Sequence, residues 1–407
     1  MPEHAPEPTE TRTLARGSRK YYCANIALFA AGFATFTSLY SVQPLMPLFS
    51  QEFGISPAIS SLSLSLTTGI LAFTLLVAGL MSEAIDRKRL MSISLVVSAG
   101  LSLAAALSPG WSTFLAARAL EGIALGGVPA LAIAYLSEEM RPGDLGFAMG
   151  LYIGGTAFGG MSGRVLAGVA ADIGGWRAAM GTIGLLGLIA ATVFICLLPP
   201  SRNFTAQRGL TLSDHAAPLI RHLRHATLPW VFLCGFVLMG ALVSIYNYIG
   251  YRLSEAPFSM SQAAIGLIFV VYLLGIVASA TAGRLADRHG RAPVLVVAIA
   301  LMTLGLLLTL PQSLALIIAG VALITIGFFS GHSVASGWVG PLATSGKGHA
   351  AGLYLLAYYL GSSLVGALGG VFWSYYAWPG VAAMVGVLLI VGIVATIRLI
   401  QWQAGRV

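Results

Sequence analysis

The sequence predicts an all-α membrane protein of twelve transmembrane helices in two parallel six-helix repeats. Three observations carry that expectation: a composition suited to lipid, a dozen apolar runs of membrane length, and a charged turn that recurs half a chain apart. Of 407 residues, 57% are hydrophobic and 9% charged, and the mean hydropathy is +0.87. A soluble domain carries about 25% charged residues. The 49 glycines fall mostly inside the apolar runs, where they let helix backbones approach closely in lipid.

A bilayer core of ~30 Å needs about 20 apolar residues per helix. Runs of that kind cover residues 22–46, 59–82, 90–108, 112–136, 145–171 and 177–198, then 229–251, 262–285, 291–310, 313–338, 349–372 and 377–399. Ser108-Pro109-Gly110, Pro199-Pro200 and Pro311 mark turns between them. The expected organisation is a cytoplasmic tail (1–20), an N-terminal bundle (21–198), a basic connector (199–228), a C-terminal bundle (229–400) and a short tail (401–407).

Residues 1–20 are polar, and the apolar run behind them is too long for a cleavable signal, so it reads as the first span. Eighteen of the 22 lysines and arginines fall on the side that carries both termini, against Arg177 and Arg252 on the other. The positive-inside rule then makes both termini cytoplasmic. The net charge of +8 lies in short connectors, not on a basic face, and points to no nucleic acid. In the connector, the spacing of Leu219, Ile220 and Leu223 predicts a short amphipathic helix on the membrane surface. Cys23, Cys196 and Cys234 have no metal-ligand spacing and read as free thiols. No cofactor or metal is expected.

The halves repeat. Gly150-Leu151-Tyr152 returns as Gly352-Leu353-Tyr354, Gly159 as Gly361, and Trp176 as Trp378, all at an offset of 202. The turn Gly283 to Arg291 reads GRLADRHGR, and a weaker copy runs from Gly79 to Arg87. Parallel repeats of this kind place a substrate path between the halves near the bilayer midplane.

GRLADRHGR resembles the GxxxDRxGR loop of the major facilitator superfamily. Leu115 to Gly122 resembles its fourth-helix pattern, and Gly155 to Arg164 the fifth-helix pattern of its drug and sugar proton antiporters. Stretches such as Tyr248 to Leu253, Gly331 to Ser336 and Tyr358 to Ser363 resemble bacterial inner-membrane transport proteins of the YnfM type. The resemblance implies alternating access, with Gly283, Asp287, Arg288, Gly290 and Arg291 forming a cytoplasmic gate. Glu83 and Arg87 are the first-half counterparts, but Glu83 replaces the motif's Asp, and Ala84 and Asp86 replace its Arg and Gly. Gly160 and Arg164 stand where the antiporter pattern has Pro and Gly.

Three charges fall well inside spans: Arg118, Glu121 and Arg164. Each costs at least about 2.5–3.5 kcal/mol on insertion scales, so each should face protein or a wet cavity. Arg118 and Glu121, at i and i+3, share a helix face, and Glu121 lies roughly 14 Å deep at 1.5 Å per residue. It is either the proton-coupling acid, with Arg118 tuning it, or half of a permanent ion pair. Arg164 has no acid within a turn of its own helix and is a candidate contact for an anionic substrate, or an arginine satisfied by backbone carbonyls or by Glu121. Beside it, Gly155, Gly159 and Gly163 form a helix-packing row, which the resemblance would place against the other half. Tyr40, Gln43, Tyr246, Asn247, His332, Tyr354 and Tyr358 complete the candidate substrate lining.

The function expected is a secondary transporter, a proton-coupled exporter of a small organic solute (drug, sugar or metabolite), acting as a monomer in the bilayer. An importer or uniporter of an anionic metabolite, with Arg164 and Arg118 as its anion site, is the alternative. A membrane sensor that keeps the fold without flux is the third reading. No nucleophile–base pair, metal spacing or phosphate loop points to an enzyme.

Overall fold

The computed structural model describes residues 13–81, 86–203, 212–343 and 345–404. Glu83 and residues 204–211 of the connector lie outside them. The first half comprises α1 (Arg19–Tyr40), α2 (Met46–Phe53), α3 (Pro57–Met81), α4 (Arg87–Ala106), α5 (Trp111–Leu125), α6 (Pro129–Glu139) and α7 (Pro142–Leu197). The connector contributes α8 (Leu212–Leu223). The second half comprises α9 (Leu228–Ser254), α10 (Gln262–Ile268), α11 (Tyr272–His289), α12 (Arg291–Leu308), α13 (Leu314–Leu342), α14 (Lys347–Leu360) and α15 (Gly366–Ala404).

Ten of the described helical stretches are long and apolar enough to cross a membrane, and two of these, with 56 and 57 residues, are twice the usual length. Both double back. Gly155, Gly159 and Gly163 of α7 lie against Phe29, Phe33 and Thr37 of α1, a parallel register, whereas Gly184 and Gly187 lie against Leu103 and Ala99 of α4, an antiparallel one. The reversal sits at Gly174 and Gly175, where Gly175 has φ 71°. In α15 it sits at Ala377, with φ 49° and ψ −144°. The two long stretches therefore count as four crossings, and ten become twelve.

Several runs are less regular than their hydropathy suggests. The first stops at Tyr40 and gives way to a turn before α2. The fourth breaks between α5 and α6, where a Cβ on Gly126 or Gly127 would lie 2.5 Å from Thr74 or 2.1 Å from Ser94. The eighth contains a 3-10 turn at Phe269–Val271, and the eleventh a π-helical turn at Gly361–Val365. The amphipathic connector helix is present as α8: Ile220 and Leu223 are exposed, while buried His222 bonds the Gly346 carbonyl oxygen at 3.1 Å. His225 Nδ1 accepts from the backbone N–H of Thr227 (3.2 Å) and Leu228 (3.4 Å), capping the start of α9. The side holding the start of α1 is called here the terminal side, and the opposite one the far side.

Candidate substrate site between the halves

Arg164 sits on the outgoing arm of α7, one helix face away from the Gly155/Gly159/Gly163 row. That row packs on α1 of its own half, not on the other half, because a Cβ on Gly159 would come within 2.3 Å of the Phe33 carbonyl oxygen. The neighbouring row faces the second half instead. Gly160 looks at Tyr272, and a Cβ on Gly168 would meet the Gln262 carbonyl oxygen at 2.4 Å. Close approach of α7 to both neighbours therefore delivers Arg164 to the seam between the halves.

There the guanidinium is 1% exposed and ringed by aromatics from both halves. Its Cζ lies 4.5 Å from the Tyr40 ring centroid, 5.2 Å from Tyr246, 5.3 Å from Phe269 and 5.0 Å from Tyr272. Arg164 Nε donates to Gln43 Oε1 (2.6 Å), and Nη1 donates to the Gly160 carbonyl oxygen (2.6 Å). Gln43 Nε2 in turn donates across the seam to Asn247 Oδ1 (2.7 Å). Among the described residues no carboxylate pairs with Arg164. Desolvated cation–π contacts are worth up to about 2 kcal/mol each, and hydrogen bonds from a charged donor about 1.5–3 kcal/mol. Together they offset burial while leaving the positive charge uncompensated.

The remaining candidates lie toward the terminal side. His332 Nδ1 and the Tyr354 hydroxyl are 2.9 Å apart, His332 stacks on Phe328, and the Tyr358 ring lies 4.7 Å from the imidazole. Tyr246 shares a 2.6 Å hydrogen bond with Thr325 Oγ1. Phe328 packs on Phe329 (ring centroids 5.2 Å apart) and Phe329 on Tyr272 (4.8 Å), so a chain of aromatic rings runs from His332 to Arg164. Phe269 and Tyr272 were not among the sequence candidates. Tyr272 could have been found by depth: it lies ten residues from the far-side start of α10, about 15 Å at 1.5 Å per residue.

Arg118 and Glu121 are elsewhere, inside the first half and fully buried. They form an ion pair through Arg118 Nη1 and Glu121 Oε2. Arg118 also donates to three carbonyl oxygens: Ser63 (2.9 Å), Ser38 (3.3 Å) and Leu39 (3.1 Å). Glu121 Oε1 accepts from Ser102 Oγ (2.8 Å) and from Ser38 Oγ. Arg118 and Glu121 thus clamp the end of α1, two residues before Tyr40.

Six hydrogen bonds cross the seam among the described residues, all at mid-depth or on the far side. Besides Gln43–Asn247, Ser363 bonds the Ser65 carbonyl oxygen (2.6 Å), and Tyr251 bonds Ser50 (2.7 Å) and the Met46 carbonyl oxygen (2.9 Å). Asp172 accepts from the backbone N–H of Gln262 and Ala263 (3.0 Å each), capping α10 from the opposite half. Toward the terminal side the halves meet through apolar contact, and a Cβ on Gly352 would lie 3.1 Å from Leu76 Cδ1. Asp287, Arg288 and Gly290 are exposed, Gly283 and Arg291 half-buried, and among the described residues Asp287 makes no hydrogen bond or ion pair. Arg87 pairs within its own half, its Nε donating to Glu138 Oε2 at 2.6 Å. No group of three His, Cys, Asp or Glu side chains among the described residues could hold a metal.

The model of the Major Facilitator Superfamily matches residues 28–254 and 249–403. The chain is 46% identical over 380 residues to the uncharacterized MFS-type transporter YybF of Bacillus subtilis, covering 93% of this chain and 94% of YybF. It is likewise 46% identical over 388 residues to the inner membrane transport protein YnfM of Escherichia coli, covering 95% and 92%. Its fold superposes with a TM-score of 0.70, at 14% identity and 94% and 95% coverage, on a bacterial homolog of the human lysosomal transporter Spinster. The chain belongs to the major facilitator superfamily and is a multi-pass membrane transporter of its YnfM-like group.

Proposed function

We propose that this chain is a secondary active transporter that carries a small organic anion by alternating access, with Arg164 as the contact for the anionic group. The carrying observation is a cation 1% exposed, at the seam of the halves, with no carboxylate partner among the described residues. An anionic group that reached it would complete a charge-assisted, bidentate contact. Aromatic walls on both halves suit an amphipathic ring beside that charge. Both termini are cytoplasmic in this reading, which the bias of lysine and arginine supports, and the transporter works as a monomer. Asp172 and Tyr251 hold the far side shut, and Asp287, Arg288 and Arg291 would engage when the terminal side closes.

A second reading keeps export driven by protons, with Glu121 as the carrier. Its support is the α1 linkage: Ser38, bonded to Glu121, lies two residues from Tyr40, so a change in Glu121's protonation would be felt at the Arg164 cage. The dense contacts of Glu121 favour a fixed pair with Arg118.

Flux in proteoliposomes tests both readings. Benzoate should move and neutral benzamide should not, and Arg164→Gln should abolish benzoate flux. Equal transport of both compounds, or benzoate flux unaffected by Arg164→Gln, contradicts the anion reading. Proton movement that accompanies flux and vanishes in Glu121→Gln would establish the second.

A further inference from the structure

The second half carries a groove on its lipid-facing surface, beside the π-helical turn Gly361–Val365. At that turn Gly361 packs tightly on α9, since a Cβ there would lie 2.2 Å from the Phe236 carbonyl oxygen. A π-turn adds a residue to the helical repeat and so shifts the side chains that follow it. Leu364 and Leu368, at i and i+4, stand exposed along one rim of the groove. Val387 and Val391, with the same spacing on the returning arm of α15, stand exposed along the other. Between the rims, Val365 and Met384 are buried and Phe236 and Leu388 half-buried, forming the floor. The volume is about 530 Å³, inside the range of ~300–1,000 Å³ usual for small-molecule sites.

Its depth in the membrane follows from the reversal of α15 at Ala377. Tyr375 and Tyr376 are exposed there, as aromatic residues at the headgroup level are. Counting from Ala377, Ala383 lies about 9 Å and Val391 about 21 Å along the returning arm, at 1.5 Å per residue. The groove therefore starts within the far leaflet and reaches past the middle of a ~30 Å hydrocarbon core.

The lining decides the occupant. Every lining side chain is apolar, so the groove offers nothing to an ion, a headgroup or a water. A helix from a second copy fits poorly, because helices associate in lipid through small residues, and these rims are leucine and valine. An acyl chain is thin and flexible enough to lie between them. There it touches protein on three sides, against one on a flat surface, and gains dispersion contacts in proportion. We propose that this groove is a binding site for one acyl chain of a far-leaflet phospholipid whose headgroup rests beside Tyr375 and Tyr376. The turn that walls it also carries Ser363, which bonds the Ser65 carbonyl oxygen across the seam at 2.6 Å. The bound chain thus lies against Leu364, one residue from a contact between the halves.

Native mass spectrometry of the full chain tests this, after reconstitution in phosphatidylethanolamine–phosphatidylglycerol vesicles, extraction into detergent and washing. The wild-type monomer should retain a phospholipid. Ala383→Phe should lose it, because Ala383 lines the groove and is exposed, so the added ring fills the space without entering the core. Ile390→Phe, exposed on the same arm but outside the groove, should keep it. A phosphatidylethanolamine with a mid-chain diazirine, irradiated in the washed complex, should label the peptide that holds Met384 and Leu388. A wild-type protein without a lipid adduct, equal retention by the wild type and Ala383→Phe, or label confined to other helices overturns the proposal. So does a lipid-free dimer that Ala383→Phe splits, which would make a second copy the occupant.

Discussion

Replacing Glu121 by glutamine separates the two roles open to the buried pair, and the structure sets the size of the effect. Arg118 keeps its three carbonyl acceptors from Ser63, Ser38 and Leu39 in the variant, but loses the counter-charge of Glu121. Glu121 carries no exposure, and its oxygens are bonded by Arg118, Ser38 and Ser102. Breaking a buried pair by removing one partner costs about 3–5 kcal/mol, because an uncompensated charge stays behind. Glu121→Gln should therefore destabilise the protein by at least about 3 kcal/mol. Arg118→Leu should do the same by orphaning the carboxylate. The double variant Arg118→Leu/Glu121→Leu should recover most of the loss, since a buried pair and a packed apolar core are of similar stability. Unfolding in mixed micelles on the four proteins gives the coupling free energy of the cycle. A Glu121→Gln protein as stable as wild type would refute the fixed-pair reasoning, and selective loss of proton coupling in it would mark Glu121 as a titrating group.

Other sites give sharper structural tests. Gly159→Ala should destabilise by about 1–3 kcal/mol, because its Cβ would meet Phe33 backbone atoms at 2.3–2.9 Å; Gly150→Ala, with nothing within 4 Å, should be neutral in the same melt. Ala377→Gly should stabilise the protein by about 1 kcal/mol, since its positive φ is strained for any residue with a Cβ; an unchanged or lowered melting temperature contradicts this. Asp172→Ala should raise far-side thiol labelling of a Gln43→Cys reporter severalfold, because a lost helix cap is worth about 0.5–2 kcal/mol; unchanged labelling means the α10 cap does not hold that side shut.

Much of the architecture was legible because lipid imposes it. Twelve apolar runs and a nearly constant register of 202 to 204 residues could be read from hydropathy and from pairs such as Trp176 and Trp378. The break in the fourth crossing was masked by continuous hydropathy: Gly126-Gly127 with Pro129 opening α6 is a local helix breaker, whereas the approach of Thr74 and Ser94 to those glycines is a tertiary fact. At the site, Arg164 stood out as a charge in an apolar run. Tyr272 and Phe269 did not, since aromatic residues in a span read as ordinary lining until α7 brings Arg164 to them. The Gly155/Gly159/Gly163 row shows the same limit. Its spacing announced close packing, but only the contacts identify α1 as the partner.

The account stands most directly on the charge preference of Arg164. Titrating benzoate and benzyl alcohol against the purified wild type and Arg164→Gln measures it without assumptions about direction or coupling. Benzoate should bind to the wild type at least about tenfold more tightly than benzyl alcohol, the difference expected for a charge-assisted contact, and Arg164→Gln should erase that preference. Equal affinity for the two compounds, or a benzoate preference that survives Arg164→Gln, would contradict the claim that this buried arginine is the anion site.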